Sequence, residues 1–558
     1  MSKPELLITE HIDIWTSAIL AKSTVGRGSN KKYELYGIKK LRELILELAV
    51  RGKLVPQNPN DEPASVLIKR IAAENAQLIR DNKIKKTLPF SKVTKDEELF
   101  ELPEGWIWAR IANLFNVVYG KGLPTSKLTN KGYDVFGANG IIGKYETYSY
   151  EESQLLVSCR GAYSGKANLS PPKCFITSNT LVLENSWNNL NKKFYYYSIS
   201  AADKSQIVTG SAQPQVTAKN LNPFLVSIPP LQEQHRIVAK VDELMLLCDQ
   251  LEQQTEASID AHSTLVEVLL ATLTDSADAN ELAQNWARVS EYFDSLFTTE
   301  KSIEMLKQTV LQLAVMGKLV PQDPDGEPAS VLIAKIAAEK EQLIKDKKIK
   351  KAKPLPPIRD DEKPFELPYG WEWCRFGSVV NFKAELVKPE KYQDYEQVGP
   401  DSIEKGTGKL IKRRTVRESG ITGPNSKFYS GQILYSKIRP SLSKAVIVDF
   451  DGLCSADMYP LEALINPDYL LTTILSEVFL AQVRDAENRI KMPKVNIESL
   501  SMMIIPLCSN QMMIEVTKKI DELIKICEQL KDKLQQSQVT QIQLTDALID
   551  KALRMRAN

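Results

Sequence analysis

The chain has 558 residues, 43% of them apolar and 25% charged, which places it in the globular range with material for several buried cores and room for three or four domains. Its 72 basic and 70 acidic side chains leave a net charge of only +2, so a polybasic tail is excluded and any nucleic-acid surface has to be local, offset by acidic segments elsewhere. The seven cysteines are scattered and form no C-x-x-C pair, which argues against a disulfide framework or a zinc ribbon; no apolar run has the length of a membrane span, so a soluble, cytoplasmic protein with no membrane partner is expected.

The first strong pattern is helical and repeated. LRELILELAVRGKLVPQNPNDEPASVLIKRI, beginning at Leu41, returns at Leu306 as LKQTVLQLAVMGKLVPQDPDGEPASVLIAKI, a constant offset of 265. In both copies Gly-Lys-Leu-Val-Pro ends a helix with a glycine C-cap and a proline stop. Lys/Pro-rich connectors follow at 83–99 and 348–364, and then FELPEGWIWAR (100–110) and FELPYGWEWCR (365–375) open new domains with a proline-glycine turn. Beyond these the copies diverge. Short apolar runs bounded by Gly, Asn and Pro, such as Leu155-Leu156-Val157-Ser158 and Ile433-Leu434-Tyr435-Ser436, predict mixed domains built on small sheets. Similarity resumes at GSAQPQVTAKNL (210–221) and RIKMPKVNIESL (489–500) with an offset of 279, so the second variable segment is 14 residues longer. The helices that follow match at the same offset. Ile237, Val241, Leu244, Cys248, Leu251 and Thr255 correspond to Val516, Ile520, Leu523, Cys527, Leu530 and Leu534, with the spacing of a heptad seam.

These elements predict an α+β chain: two mixed α/β head domains separated by long antiparallel coiled-coil helices, in a tandem pseudo-two-fold repeat. The expected divisions are an N-terminal helical region and linker (1–99), a first head (100–230), a central helical region (231–364), a second head (365–507) and a C-terminal spacer helix (508–558). A helix of about 40 residues is roughly 60 Å long. Two similar heads on such a ruler suit a long, repetitive ligand, and double-stranded DNA is the obvious one; unlike heads then read unlike half-sites.

Charge supports that reading regionally. Residues 105–230 carry 12 Lys/Arg against 6 Asp/Glu, whereas 231–300 carry 3 against 14. The candidate DNA contacts in the first head are Lys121, Lys127, Tyr145, Arg160, Lys166, Gln213 and Gln215, because cations neutralise phosphates while Arg and Gln suit base edges. In the second head they are Arg413, Arg414, Lys437, Arg439 and Lys491. The bland reading of each is a solvated strand face. The strict duplication around Gly52, Lys53, Gly317 and Lys318 points to two identical protein partners docking on equivalent surfaces, or to a packing role that closes the helical core.

No catalytic or metal-binding constellation stands out. Ser170-Pro171-Pro172-Lys173 lacks the aromatic residue of an adenine methyltransferase loop. GANGIIGKY (137–145) and GAYSGKA (161–167) have the wrong spacing for a phosphate-binding loop. His235 and His262 fall on the first spacer helix and are expected at its surface or seam. Asp325, Asp346 and Lys348 formally match a nuclease set, which leaves a stand-alone endonuclease as a weak reading. The main alternative is a coiled-coil scaffold whose heads bind proteins.

LAVRGKLVPQNPNDEPASVLIKRI, the FELPEGWIW turn, GSAQPQV followed by IPPLQEQHRIVAKVDEL, and YSKIRPSLSKA (435–445) together resemble the specificity subunit of type I restriction-modification enzymes, over nearly the whole chain. The second exit, IPLCSNQMMIEVTKKIDEL (505–523), departs from the pattern by lacking the element formed by Glu233, Gln234 and Arg236. The resemblance implies a non-catalytic subunit that reads an asymmetric bipartite site. It also implies partners: two modification subunits that methylate adenine N6 with S-adenosylmethionine, and restriction subunits that use ATP and Mg2+. No cofactor is expected in this chain.

Overall fold

The computed structural model describes residues 6, 8–21, 33–81, 92–185, 190–277, 279–346, 354–486 and 494–554. The chain forms two compact units, one made of 1–258 with 537–558 and the other of 259–536. Both divisions fall inside 45-residue helices, Leu231–Asp275 and Asn510–Arg554, each roughly 68 Å long at 1.5 Å per residue. Each unit therefore holds the beginning of one spacer helix and the end of the other, the connectivity expected of antiparallel helices.

The heptad positions form the seam. In the first unit Ile237, Val241, Leu244, Cys248 and Leu251 are buried in one core with Leu548 and Ala552 from the end of the other spacer helix. In the second, Val516, Ile520 and Cys527 share a core with Val266, Leu270 and Leu273, and Leu523, Leu530 and Leu534 pack at its margin. Burial raises the thiols of Cys248 and Cys527 to about 11, so both act as small apolar residues.

The repeated helical region is two helices in each copy, Tyr36–Val50 with Ala64–Arg80 and Glu300–Val315 with Ala329–Lys345. Gly52 (φ +65°) and Gly317 (φ +69°) end the first of each pair. The Lys53 N–H donates to the Leu48 carbonyl at 2.9 Å and the Gly52 N–H to Ala49 at 3.3 Å; Lys318 to Leu313 (2.9 Å) and Gly317 to Ala314 (3.1 Å) repeat the pattern, a Schellman motif.

The chain leaves each head beside the point where it enters. Ile107–Arg110 pairs antiparallel with Leu225–Ile228, and Glu372–Arg375 with Ile504–Leu507. Behind these ribbons both heads carry a four-stranded sheet of one order. In the first the strands run Asn116–Tyr119, Thr180–Glu184, Leu155–Ser158, Ala167–Leu169; in the second Val380–Phe382, Met458–Ala463, Ile433–Ser436, Ala445–Ile447. The outer sheets differ. The first head has three strands, Ile141–Tyr145, Tyr133–Phe136 and Phe175–Ile176, where the second has four, Glu385–Val387, Asn425–Phe428, Gly452–Cys454 and Glu396–Val398, in keeping with its longer variable segment.

Candidate nucleic-acid interface

A surface that reads another molecule needs a rigid mount, and chemistry shared by the two copies at the base of each head supplies it. Arg110 grips Glu97 with two bonds from one Nη2 (2.7 and 2.9 Å) and donates to the Pro223 carbonyl at 3.2 Å. Arg375 does the same more completely, gripping Glu362 through Nη1 (2.6 Å) and Nη2 (3.0 Å) and donating to the carbonyls of Pro356, Pro357 and Met502. In both units the arginine ties the connector to the strand that opens the head.

The tryptophan of the Pro-x-Gly-Trp turn is anchored differently in the two copies. Trp106 Nε1 donates to the buried carboxylate of Glu233 at 2.9 Å, which also accepts from Gln57 at 2.7 Å, and Arg236 pairs with Asp61 at 2.6 Å. Burial pushes the Glu233 carboxyl up against these hydrogen bonds. In the second copy Met512 stands at the place of Glu233, Glu515 at that of Arg236 and Gly326 at that of Asp61. Of the polar set only the glutamine remains: Gln322, in the place of Gln57, accepts the Trp371 N–H at 2.7 Å. The missing exit motif thus reflects a coordinated exchange at one contact. Replacing Gln322 by alanine should strand the Trp371 donor and cost about 1–2 kcal/mol of stability in denaturant unfolding. Glu233→Met should cost less, since Gln57 can turn as Gln322 does; equal losses would refute the comparison.

Lys53 and Lys318 each cap a spacer helix of their own unit. Lys53 Nζ donates to the Leu553 carbonyl, and Lys318 Nζ to the carbonyls of Thr274 (2.8 Å) and Ser276 (2.9 Å). Positive charge at a helix C-terminus is favourable, and these carbonyls have no partner within the helix. Gly52 and Gly317 lie against Pro103 and Trp106, and against Pro368 and Trp371, respectively. The duplicated turn therefore locks helix, head and spacer within each unit.

In the first head the structure brings most of the candidate residues to one rim. Arg160 bridges to Gln215, the Gly161 N–H donates to the Pro214 carbonyl at 3.0 Å, and Lys121 is bonded through Ser178 to the strand end that precedes Arg160. Lys121, Arg160, Lys166, Gln213 and Gln215 are all exposed there. Lys127 is exposed in the short turn Thr125–Lys127, whereas Tyr145 is half-buried with its ring 5.3 Å from that of Phe175.

In the second head the candidates separate. Arg414 is held by Gln397 (2.8 Å) and Asp401 (3.0 Å) and pins the loop, and Arg413 lies over the Phe450 ring while pairing with Asp449 at 3.1 Å. Lys437 stacks over Tyr459, and Arg439 is exposed on the same loop. Lys491 lies outside the described residues. Lys494, in the same exit segment, pairs with Asp457 at 3.0 Å and bridges to Ile438 beside Arg439.

The heads also meet their spacer helices unequally. Asp242 accepts from Lys193 Nζ at 2.6 Å and from the Tyr197 hydroxyl, clamping the helix Lys192–Ala201. In the second unit Asp521 takes that place, while Asp468 lies two residues past the capping Asn466 as Lys193 lies two past Asn191. Burial and the Asp468 charge raise the Asp521 carboxyl, and the two acids line a groove of about 900 Å³.

The nuclease reading fails on geometry. Asp325 precedes and Asp346 follows the 17-residue helix Ala329–Lys345, which separates them by roughly 26 Å, too far to share a metal ion; Lys348 lies outside the described residues. His235 is exposed and His262 half-buried on the spacer helix, bonded to Asn191 and to the Ser295 carbonyl.

Residues 103–261 match the family described as the type I restriction modification DNA specificity domain. Over 98% of its length the chain is 41% identical to the type I restriction enzyme EcoEI specificity subunit of Escherichia coli and 40% identical to the EcoAI specificity subunit of the same organism, covering 99% of each. Among solved structures, a chain from work on complex assembly and conformational transition of the type I R-M system aligns with 82% of this chain and 99% of its own length, at 15% identity and a TM-score of 0.49.

Proposed function

Because the chain belongs to the specificity subunits of type I restriction-modification enzymes, non-catalytic subunits that direct such enzymes to DNA, we propose that its heads at 100–230 and 365–507 each read one half of an asymmetric, bipartite duplex site. The observation that carries this is the pairing of one mount and one four-stranded sheet order with unlike outer sheets and unlike rim residues. A common frame keeps both heads in the same relation to their strand ends, and the differing surfaces give two different sequences to recognise. Lys121, Arg160, Lys166, Gln213 and Gln215 serve the first half-site, with Lys127 and Tyr145 beside them; Lys437, Arg439 and Lys491 serve the second, with Arg413 and Arg414 shaping its loop. The repeated turns at Gly52-Lys53 and Gly317-Lys318 mark surfaces on which two modification subunits dock. S-adenosylmethionine, ATP and Mg2+ belong to the modification and restriction subunits, and the assembly works in the cytoplasm.

Long-read mapping of N6-methyladenine in a genome carrying this gene with its modification gene tests the reading. The expected result is a split motif: two unequal defined halves around an unspecified gap, with one adenine modified on each strand. A palindromic motif would overturn the asymmetric reading, and no modified adenine with an intact partner expressed would favour heads that bind proteins.

A further inference from the structure

Matched loops cross the tip of the central sheet in each head. Residues 158–166 run from the strand Leu155–Ser158 into Ala167–Leu169, and 436–444 from Ile433–Ser436 into Ala445–Ile447. Both leave an equivalent cross-strand pair, Val157 with Ala167 and Tyr435 with Ala445. Each closes with the N–H of its first residue donating to the carbonyl of its last at 2.9 Å, Ser158 to Lys166 and Ser436 to Lys444. The fourth and eighth residues of both loops have left-handed backbone. In the first head these are Gly161 (φ +80°) and Gly165 (φ +86°); in the second they are Arg439 (φ +45°) and Ser443 (φ +48°). One backbone path is used twice, and only the first copy fills it with the residue that the path favours.

Arg439 therefore occupies a strained position that glycine would relax, and an outlier of this kind is held in place by its surroundings. Pro440 follows it and is buried, Ile438 before it bridges to Lys494, and the Lys437 N–H donates to the Asp457 carbonyl at 3.0 Å. The side chain itself is exposed and makes no hydrogen bond or ion pair among the described residues, whereas Arg413, Arg414, Arg417 and Lys494 each face a carboxylate. A guanidinium projected from a fixed backbone suits recognition that depends on position and angle. Its parallel donors match guanine O6 and N7, while a phosphate could be met by any flexible cation in the region.

Resting on the DNA-reading function above, we propose that Arg439 reads a guanine in the second half-site, and that the first head, with Gly161 at the matching place, presents no side chain there. The two heads differ in specificity at this loop because one position alternates between a reader and a void.

The test uses the full chain assembled with its modification subunits, comparing wild type, Arg439→Gly and Arg439→Lys. Affinity is measured for the mapped site and for duplexes with each base pair of the second half-site changed in turn, with thermal melting alongside. Arg439→Gly should fold with an unchanged or higher Tm, since it restores the residue of the first loop. It should lose about 10- to 100-fold in affinity for the mapped site and lose discrimination at one G·C pair only, leaving the first half-site untouched; Arg439→Lys should not rescue it. A loss that is equal on every sequence, with a shallower salt dependence and rescue by lysine, would make Arg439 a phosphate contact and overturn the proposal. Unchanged affinity would overturn it as well. If wild type showed no sequence-selective binding, the failure would lie with the DNA-reading function itself.

Discussion

Replacing Arg375 by alanine is expected to lower the stability of the second unit by about 3 kcal/mol. The guanidinium is only 5% exposed, and its Nε, Nη1 and Nη2 donate to the carboxylate of Glu362 and the carbonyls of Pro356, Pro357 and Met502. Its removal strands these acceptors together and releases the connector from the strand that opens the head. Lysine should recover only part of the loss, because three donors on one atom cannot span a planar fork. The Arg375 hydrogen bonds, helped by the Arg359 backbone N–H, hold the Glu362 carboxyl down at about 2. A carboxyl lowered in the folded state adds stability that is present above its ordinary pKa of about 4.3 and is lost as pH falls from there towards 2. Denaturant unfolding of the full chain at neutral pH and at pH 3 reads both effects. A change under 1 kcal/mol at neutral pH would show the clamp to be ornamental, and an unaltered acid slope in Arg375→Ala would separate it from the Glu362 titration.

Alanine at Gly317 or Gly52 should cost about 3 kcal/mol, combining left-handed backbone with overpacking. A Cβ at Gly317 would sit 2.7 Å from Pro368 Cγ and 3.0 Å from Trp371, and at Gly52 2.5 Å from Pro103 Cγ and 3.0 Å from Trp106. Gly370 supplies the control. It too has positive φ (+81°), but nothing lies within 4 Å of an added Cβ, so Gly370→Ala should cost only about 1 kcal/mol. Melting curves of the three variants decide the matter. If Gly370→Ala were as damaging as Gly317→Ala, the contact with the proline-tryptophan turn would be irrelevant and backbone conformation alone would explain the duplicated glycine.

The repeat, the heptad seams and the Gly-Lys-Leu-Val-Pro helix ends were legible in the sequence, because each is a local pattern whose physics is local. A glycine past the end of an apolar-periodic run closes a helix whatever surrounds it, and apolar residues at intervals of three and four share one helix face. Several findings depended on residues far apart in the chain. Lys53 read equally as a docking or a packing residue, and only folding brings its ammonium to the carbonyl of Leu553. The departure of the second exit from the Glu233 pattern was visible in the sequence, but its replacement by a bond from Trp371 to Gln322 was not. Arg413 and Arg414 read as candidate DNA contacts, and only folding shows that each is paired with an aspartate from elsewhere in the head. The equivalence of Gly161 and Arg439 was hidden because the flanking sequences share few residues, and it emerged from strand register and φ. Sequence by itself determined the kind of elements, their duplication and the family. The tertiary structure alone decided which charged groups are consumed in holding the molecule together and which stay exposed, because ion pairing depends on distances in space that residue spacing does not encode.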